Sequence, residues 1–161
     1  MFVSARQSYL LGFLFCLAAL LIAGYFQFIE HLEPCPLCIL QRVGILVVGI
    51  LCLIGFIHNS QGVMNKIYAS LIVVASLFGG SISARHVWIQ NLPADQTPAC
   101  GPGLNFMLEN FPLMDALNMV LKGSGECADV LWTFMGLSIP AWTLVAFVGL
   151  FLLGVKQFFS K

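Results

Sequence analysis

Glu33-Pro34-Cys35-Pro36-Leu37-Cys38-Ile39-Leu40-Gln41-Arg42 joins two long apolar runs. No Asp, Glu, Lys or Arg falls between Arg6 and Glu30 before it, or between Arg42 and Lys66 after it. A membrane-spanning helix needs roughly 20 mainly apolar residues, and both runs are long enough. A short gap between two such helices lies at a membrane surface. Two cysteines three positions apart, each preceded by proline, therefore stand within reach of both water and the lipid edge.

Composition agrees with that placement. Of 161 residues, 60% are hydrophobic and 9% charged, whereas soluble domains carry about a quarter charged residues. Such a chain cannot cover a water-facing surface, which makes it an integral membrane protein of one domain, 1–161. Its net charge of +0 suggests no nucleic-acid partner. Four spans are expected, at 9–28, 39–57, 67–88 and 140–158, with outer loops 29–38 and 89–139. Pro140 suits the first position of the last helix. The first run is too long for a cleaved signal peptide and lacks a small-x-small site, so it reads as an anchor. The expected fold is an all-α four-helix transmembrane bundle with a long outer loop.

Positive charges set the orientation. Arg6, Lys66, Lys156 and Lys161 fall on one side with no acid. Glu30, Glu33, Asp95, Glu109, Asp115, Glu126 and Asp129 fall on the other, with Lys122. Both termini are then cytoplasmic and the cysteine motif faces outward, into the periplasm if the cell is bacterial. Within the long loop, Leu113, Met114, Leu117, Val120 and Leu121 recur at helical spacing behind Pro112. They predict a short amphipathic helix on the membrane surface, the alternative being a helix packed over the bundle end. Gly123, Ser124 and Gly125 then give a flexible approach to Cys127.

Of six cysteines, Cys16 and Cys52 lie inside spans and read as small apolar residues. Cys35, Cys38, Cys100 and Cys127 all fall on the outer side, where an oxidising compartment favours pairing. The local pairing is Cys35–Cys38, which leaves Cys100–Cys127. Both bonds could be staples. Against that, a CxxC ring is short and often redox-active, and Cys38 opens the second span, where a helix N-terminus favours a thiolate. Arg42 follows at i+4 on the same helical face. It either snorkels to water or stabilises negative charge on sulfur or on a reduced acceptor. Ile39 after Cys38 argues against haem attachment, which needs CxxCH. A single CxxC, with Cys100 and Cys127 far apart in a loop, argues against zinc. No βαβ pattern supports a thioredoxin fold.

Taken together, these residues resemble the disulfide bond formation protein B (DsbB) family. The resemblance covers nearly the whole chain. It rests on the four spans, Pro34-Cys35-Pro36-Leu37-Cys38 with Arg42, and Arg85-His86-Val87-Trp88-Ile89-Gln90. Cys100, Gly125-Glu126-Cys127-Ala128 and Ser138-Ile139-Pro140-Ala141-Trp142 complete it. It implies a bacterial inner-membrane enzyme that reoxidises a DsbA-like thioredoxin-fold oxidase and passes the electrons to ubiquinone or menaquinone, with no metal. Cys100 would accept attack by the partner and Cys127 would be the released thiol. Cys127 would attack Cys35, and Cys38 would meet the quinone through a thiolate charge-transfer complex or adduct. Arg42 and His86 match residues that the family uses at the quinone. The Gly101-Pro102-Gly103 segment is glycine-rich for the family, which bears on partner contacts around Cys100. Two alternatives stay open: a membrane scaffold with two structural disulfides, and a paralogue dedicated to one substrate. His31 and His58 read as solvated, Arg85 as a headgroup anchor, and Trp88, Trp132 and Trp142 as interfacial belt residues.

Overall fold

A computed structural model describes residues 4–32, 34–93, 96, 110–123, 125–130 and 132–160. Four long helices dominate it: α1 (Ala5–Phe28), α2 (Pro36–Ile57), α3 (Gly62–Gln90) and, after the outer loop, α5 (Ile139–Phe159). All four are long and apolar enough to cross a membrane. Between them lie the short helix α4 (Leu113–Lys122), a 3-10 turn at Gly125–Cys127, and a two-stranded hairpin, β1 (Thr133–Phe134) and β2 (Leu137–Ser138). The chain is thus an all-α membrane bundle, with almost no sheet among the described residues.

The helices overrun the spans expected from hydropathy, and the ends show why. Ser4 caps α1 by accepting from the Gln7 backbone N–H, while the Gln7 side chain accepts from Ser4 N–H, a reciprocal box that starts the helix before its apolar run. Pro36 occupies the first turn of α2, where its missing N–H costs nothing, so α2 begins at the cysteine motif rather than at Ile39. α3 has 29 residues, about 43 Å at about 1.5 Å per residue. That exceeds a hydrocarbon core of about 30 Å, so its ends project and His86 and Gln90 lie toward one membrane surface.

α3 runs along α5 on one side and α2 on the other, and α2 runs along α1. α1 and α5 touch far less. Small residues permit the close approaches, as is usual between helices in lipid. A Cβ on Gly79 would stand 2.3 Å from the Phe147 ring, so this ring sits directly against the α3 backbone. At the end where α1 and α3 begin and α5 finishes, buried polar groups tie the helices together. Tyr9 Oη donates to Asn65 Oδ1 at 2.7 Å, and Asn65 Nδ2 donates to Gln157 O at 2.7 Å. Gln157 Nε2 then donates to Ala5 O at 2.6 Å. Arg6, Lys66 and Lys156 flank this network, so these three of the four basic residues named from sequence share one end of the bundle, while Lys161 lies outside the described residues.

At the opposite end, Cys35, Leu37, Ile82, Ile89, Val120 and Cys127 form a second buried cluster. Through Val120, α4 docks on the bundle end, while Met114 and Asp115 on the same helix are exposed. Arg85 donates to Leu121 O at the last turn of α4 and lies over the Trp88 ring, 5.7 Å from its centroid. Arg85 therefore fastens α4, a role beyond headgroup anchoring. His58, at the basic end, shares a 2.6 Å hydrogen bond with Tyr68 Oη.

Candidate active site

Cys35 caps α2 with an extended backbone, φ −64° and ψ 161°, and its carbonyl accepts from Ile39 N at 3.2 Å. Cys38 occupies the third helical position, among first-turn N–H groups that have no partner within the helix. The Cys35 thiol donates to Cys38 Sγ at 3.3 Å, well beyond the about 2.05 Å of a disulfide. The pair therefore stands here as two hydrogen-bonded thiols. Positive helix-end potential and this thiol donor both favour negative charge on Cys38 sulfur.

Arg42 lies one turn further along α2 and is half-buried. Its guanidinium donates to Gln27 Oε1, and its Nη2 donates to Ala23 O at 3.1 Å. The cation is thus held against α1, below Cys38 and in contact with the cavity described next.

His86 arrives from α3 and is 2% exposed. Its Nδ1 faces Gln41 Nε2 at 3.1 Å, and its Nε2 faces Cys127 O at 3.1 Å and Cys35 Sγ at 3.7 Å. An amide nitrogen only donates, so Nδ1 accepts and the proton sits on Nε2. Nε2–H then donates to the Cys127 carbonyl. His86 thereby joins the CxxC motif to the returning loop, a closer engagement with the sulfurs than the quinone-ring position expected from resemblance alone. Cys127 is fully buried, and its Sγ, Cys35 Sγ and a His86 ring nitrogen all lie within 4.8 Å of one another. Cys100, and with it the expected Cys100–Cys127 bond, lies outside the described residues, as do Glu33 and Asp95.

A cavity of about 500 Å³ opens beside these groups. Cys35, Cys38, Arg42 and His86 line it on the side of α2 and α3. The rest of its wall is mainly apolar, from α1 (Phe15, Ile22, Phe26) and α5 (Pro140, Ala146), two helices that touch little, with Glu126 and Asp129 of the returning loop also lining it. Phe26, Trp132, Phe134 and Trp142 close one side as a chain of rings whose successive centroids are 4.9, 5.9 and 6.1 Å apart. Trp132 and Trp142, read from sequence as belt residues, thus also line the cavity. The hairpin holds them there, since Trp142 Nε1 donates to Phe134 O at 3.1 Å. A planar apolar ring with carbonyl acceptors fits this lining, which offers ring faces, a guanidinium and thiols.

Gln41 escaped the sequence reading. It is 3% exposed inside an otherwise apolar span, and a buried amide at membrane depth marks a functional position. The hairpin escaped too, although Met135-Gly136, both at positive φ, supplies its turn.

Residues 5–157 match the family model described as Disulfide bond formation protein DsbB. Disulfide bond formation protein B of Nitrosococcus oceani is 56% identical over 155 residues, covering 96% of this chain and 92% of that protein. Its counterpart in Saccharophagus degradans is 50% identical, covering 98% and 95%. That of Methylococcus capsulatus is also 50% identical, covering 98% and 96%.

Proposed function

This chain belongs to the disulfide bond formation protein B family, and on that premise we propose that it oxidises a soluble thioredoxin-fold partner of the DsbA type and delivers the electrons to membrane quinone. The observation that carries this reading is the gathering of Cys35, Cys38, Cys127 and His86 at the wall of an apolar cavity bordered by two loosely packed membrane helices.

In this reading the resting protein holds Cys35–Cys38 and Cys100–Cys127 bonds. A partner thiolate attacks Cys100 sulfur, breaking Cys100–Cys127 and freeing the Cys127 thiolate. The partner's second thiol then resolves the mixed disulfide and leaves Cys100 as a thiolate. Cys127 attacks Cys35 sulfur, and the electron pair of the old bond goes to Cys38. Exchange needs an attacking thiolate and a good leaving group, and the first-turn N–H groups of α2 stabilise negative charge on the departing Cys38 sulfur. Cys100 next displaces Cys35 from Cys127, which restores the loop bond and leaves the Cys35–Cys38 pair as a dithiol. Quinone, ubiquinone or menaquinone, supplies the two-electron acceptor. Cys38 delivers the electrons, Cys35 closes the bond upon it, and Arg42 holds positive charge at the same cavity.

His86 keeps Cys127 against Cys35 through its Nε2–H and also borders the cavity. The basic end of the bundle is cytoplasmic and the cysteine end periplasmic, in the inner membrane of a bacterium. The shared placement of Arg6, Lys66 and Lys156 supports this orientation.

Cys100→Ser tests the relay. It should abolish oxidation of the protein partner and leave quinone reduction by a small dithiol acting directly on Cys35–Cys38. Continued partner oxidation would show that the order of transfer is wrong.

A further inference from the structure

The three ligand-type atoms deepest in the site, Cys35 Sγ, a His86 ring nitrogen and Cys127 Sγ, lie within 4.8 Å of one another on buried residues. Cys35 Sγ and His86 Nε2 are 3.7 Å apart, and Cys38 Sγ stands 3.3 Å from Cys35 Sγ. Tetrahedral zinc bonds to sulfur at about 2.3 Å and to imidazole nitrogen at about 2.0–2.1 Å, which sets two sulfurs about 3.8 Å apart and a sulfur and a nitrogen about 3.5–3.6 Å apart. The Cys35–His86 separation already lies close to that value, and the Cys35–Cys38 contact opens by about 0.5 Å to reach it. Within the buried trio no separation closes by more than about 1.3 Å, and Gly123 and Gly125 precede Cys127 in the connecting loop.

We propose that the reduced protein binds one Zn²⁺ at Cys35, His86 and Cys127, with Cys38 completing a three-sulfur, one-nitrogen set. No electron moves. Each ligating thiol gives up its proton, so three thiols and one Zn²⁺ yield a tris-thiolate complex and three protons. His86 ligates through Nε2 and carries its proton on Nδ1. The Gln41 amide, whose nitrogen now faces Nδ1 at 3.1 Å, turns over so that its oxygen accepts from Nδ1–H. Such an outer partner is what orients a metal-binding histidine.

The site depends on redox state. A Cys35–Cys38 bond takes two of its three sulfurs, so the oxidised protein has no such donor set. Bound Zn²⁺ also occupies the lone pairs by which Cys127 attacks Cys35, making it a reversible inhibitor of the reduced form. This inhibitory consequence rests on the proposed relay, whereas the binding itself does not.

Co²⁺ titration of the full-length, dithiol-reduced protein in detergent, with the reductant removed, reads the site directly. The expected result is one Co²⁺ per chain, with thiolate-to-cobalt charge transfer and the visible bands of tetrahedral Co²⁺, both lost on adding Zn²⁺. The oxidised protein, an identical chain, should show neither. Cys127→Ser and His86→Ala should each weaken binding about 100-fold, and Gln41→Leu about 10-fold. A Cys16→Ala, Cys52→Ala double variant should bind like the parent. No tetrahedral spectrum in the reduced protein would overturn the proposal. So would undiminished binding by Cys127→Ser and His86→Ala, which would mean a CxxC chelate alone, or equal binding by the oxidised chain. Neither quinone nor partner enters the titration, so its failure leaves the oxidase reading intact. Binding without quinone reduction would sink that reading and keep the metal site.

Discussion

Arg42 shows how far a single residue could be read from sequence. Its i+4 offset from Cys38 placed it on the motif's helical face, yet anchor and thiolate partner stayed equally open. The structure adds Gln27 Oε1 and Ala23 O as acceptors that hold the guanidinium at the cavity wall. A hydrogen bond from a charged group is worth about 1.5–3 kcal/mol. Arg42→Ala should therefore raise the KM for quinone by about 10-fold or more while leaving dithiol exchange between Cys127 and Cys35 unchanged. An unchanged KM would make Arg42 a membrane anchor only. Gln41 and His86 were less legible, because 45 positions separate them along the chain. Sequence periodicity sees neighbours on one helix, and their contact exists only once α2 packs against α3.

At the scale of elements, the short helix of the outer loop was readable from its spacing, with Pro112 as its N-cap. Its docking was not, since among the described side chains Val120 is buried in the cysteine-end cluster and Leu121 packs beside it, contacts that exist only once the bundle has formed. What returns the chain from α4 to Cys127 is Gly123, whose φ of 84° and ψ of 155° suit glycine almost alone. A Cβ there would also stand 2.5 Å from Ile89 Cδ1. Gly123→Ala should cost about 1–3 kcal/mol locally and pull Cys127 away from His86 and Cys35. Partner-driven turnover should fall several-fold, while quinone reduction driven by a small dithiol at Cys35–Cys38 persists. Loss of both activities to the same extent would place Gly123 in the folding of the whole bundle instead.

For the whole molecule, apolar run length sufficed to find four spans, because lipid forces every backbone polar group to be satisfied within its own helix. The helices run past those apolar runs, because capping and proline chemistry, rather than hydropathy, start α1 and α2. The bundle separates stability from chemistry by putting them at opposite ends. Asn65→Leu removes the closer acceptor of Tyr9 Oη, which keeps the Asn65 carbonyl at 3.3 Å, and the side-chain donor to Gln157 O, and a buried hydrogen bond contributes about 0.5–1.5 kcal/mol. Thermal unfolding in detergent should shift downward by several degrees, with turnover per folded molecule unchanged. A fall in turnover without a shift in melting would couple the two ends. The central claim is that thiol oxidation here reduces quinone, and quinone absorbance in a mixture of purified protein, excess quinone and a reduced thioredoxin-fold oxidase tests it most directly. The account predicts catalytic loss of oxidised quinone that vanishes in Cys38→Ser. No loss with that partner, and none with a small dithiol, would contradict it.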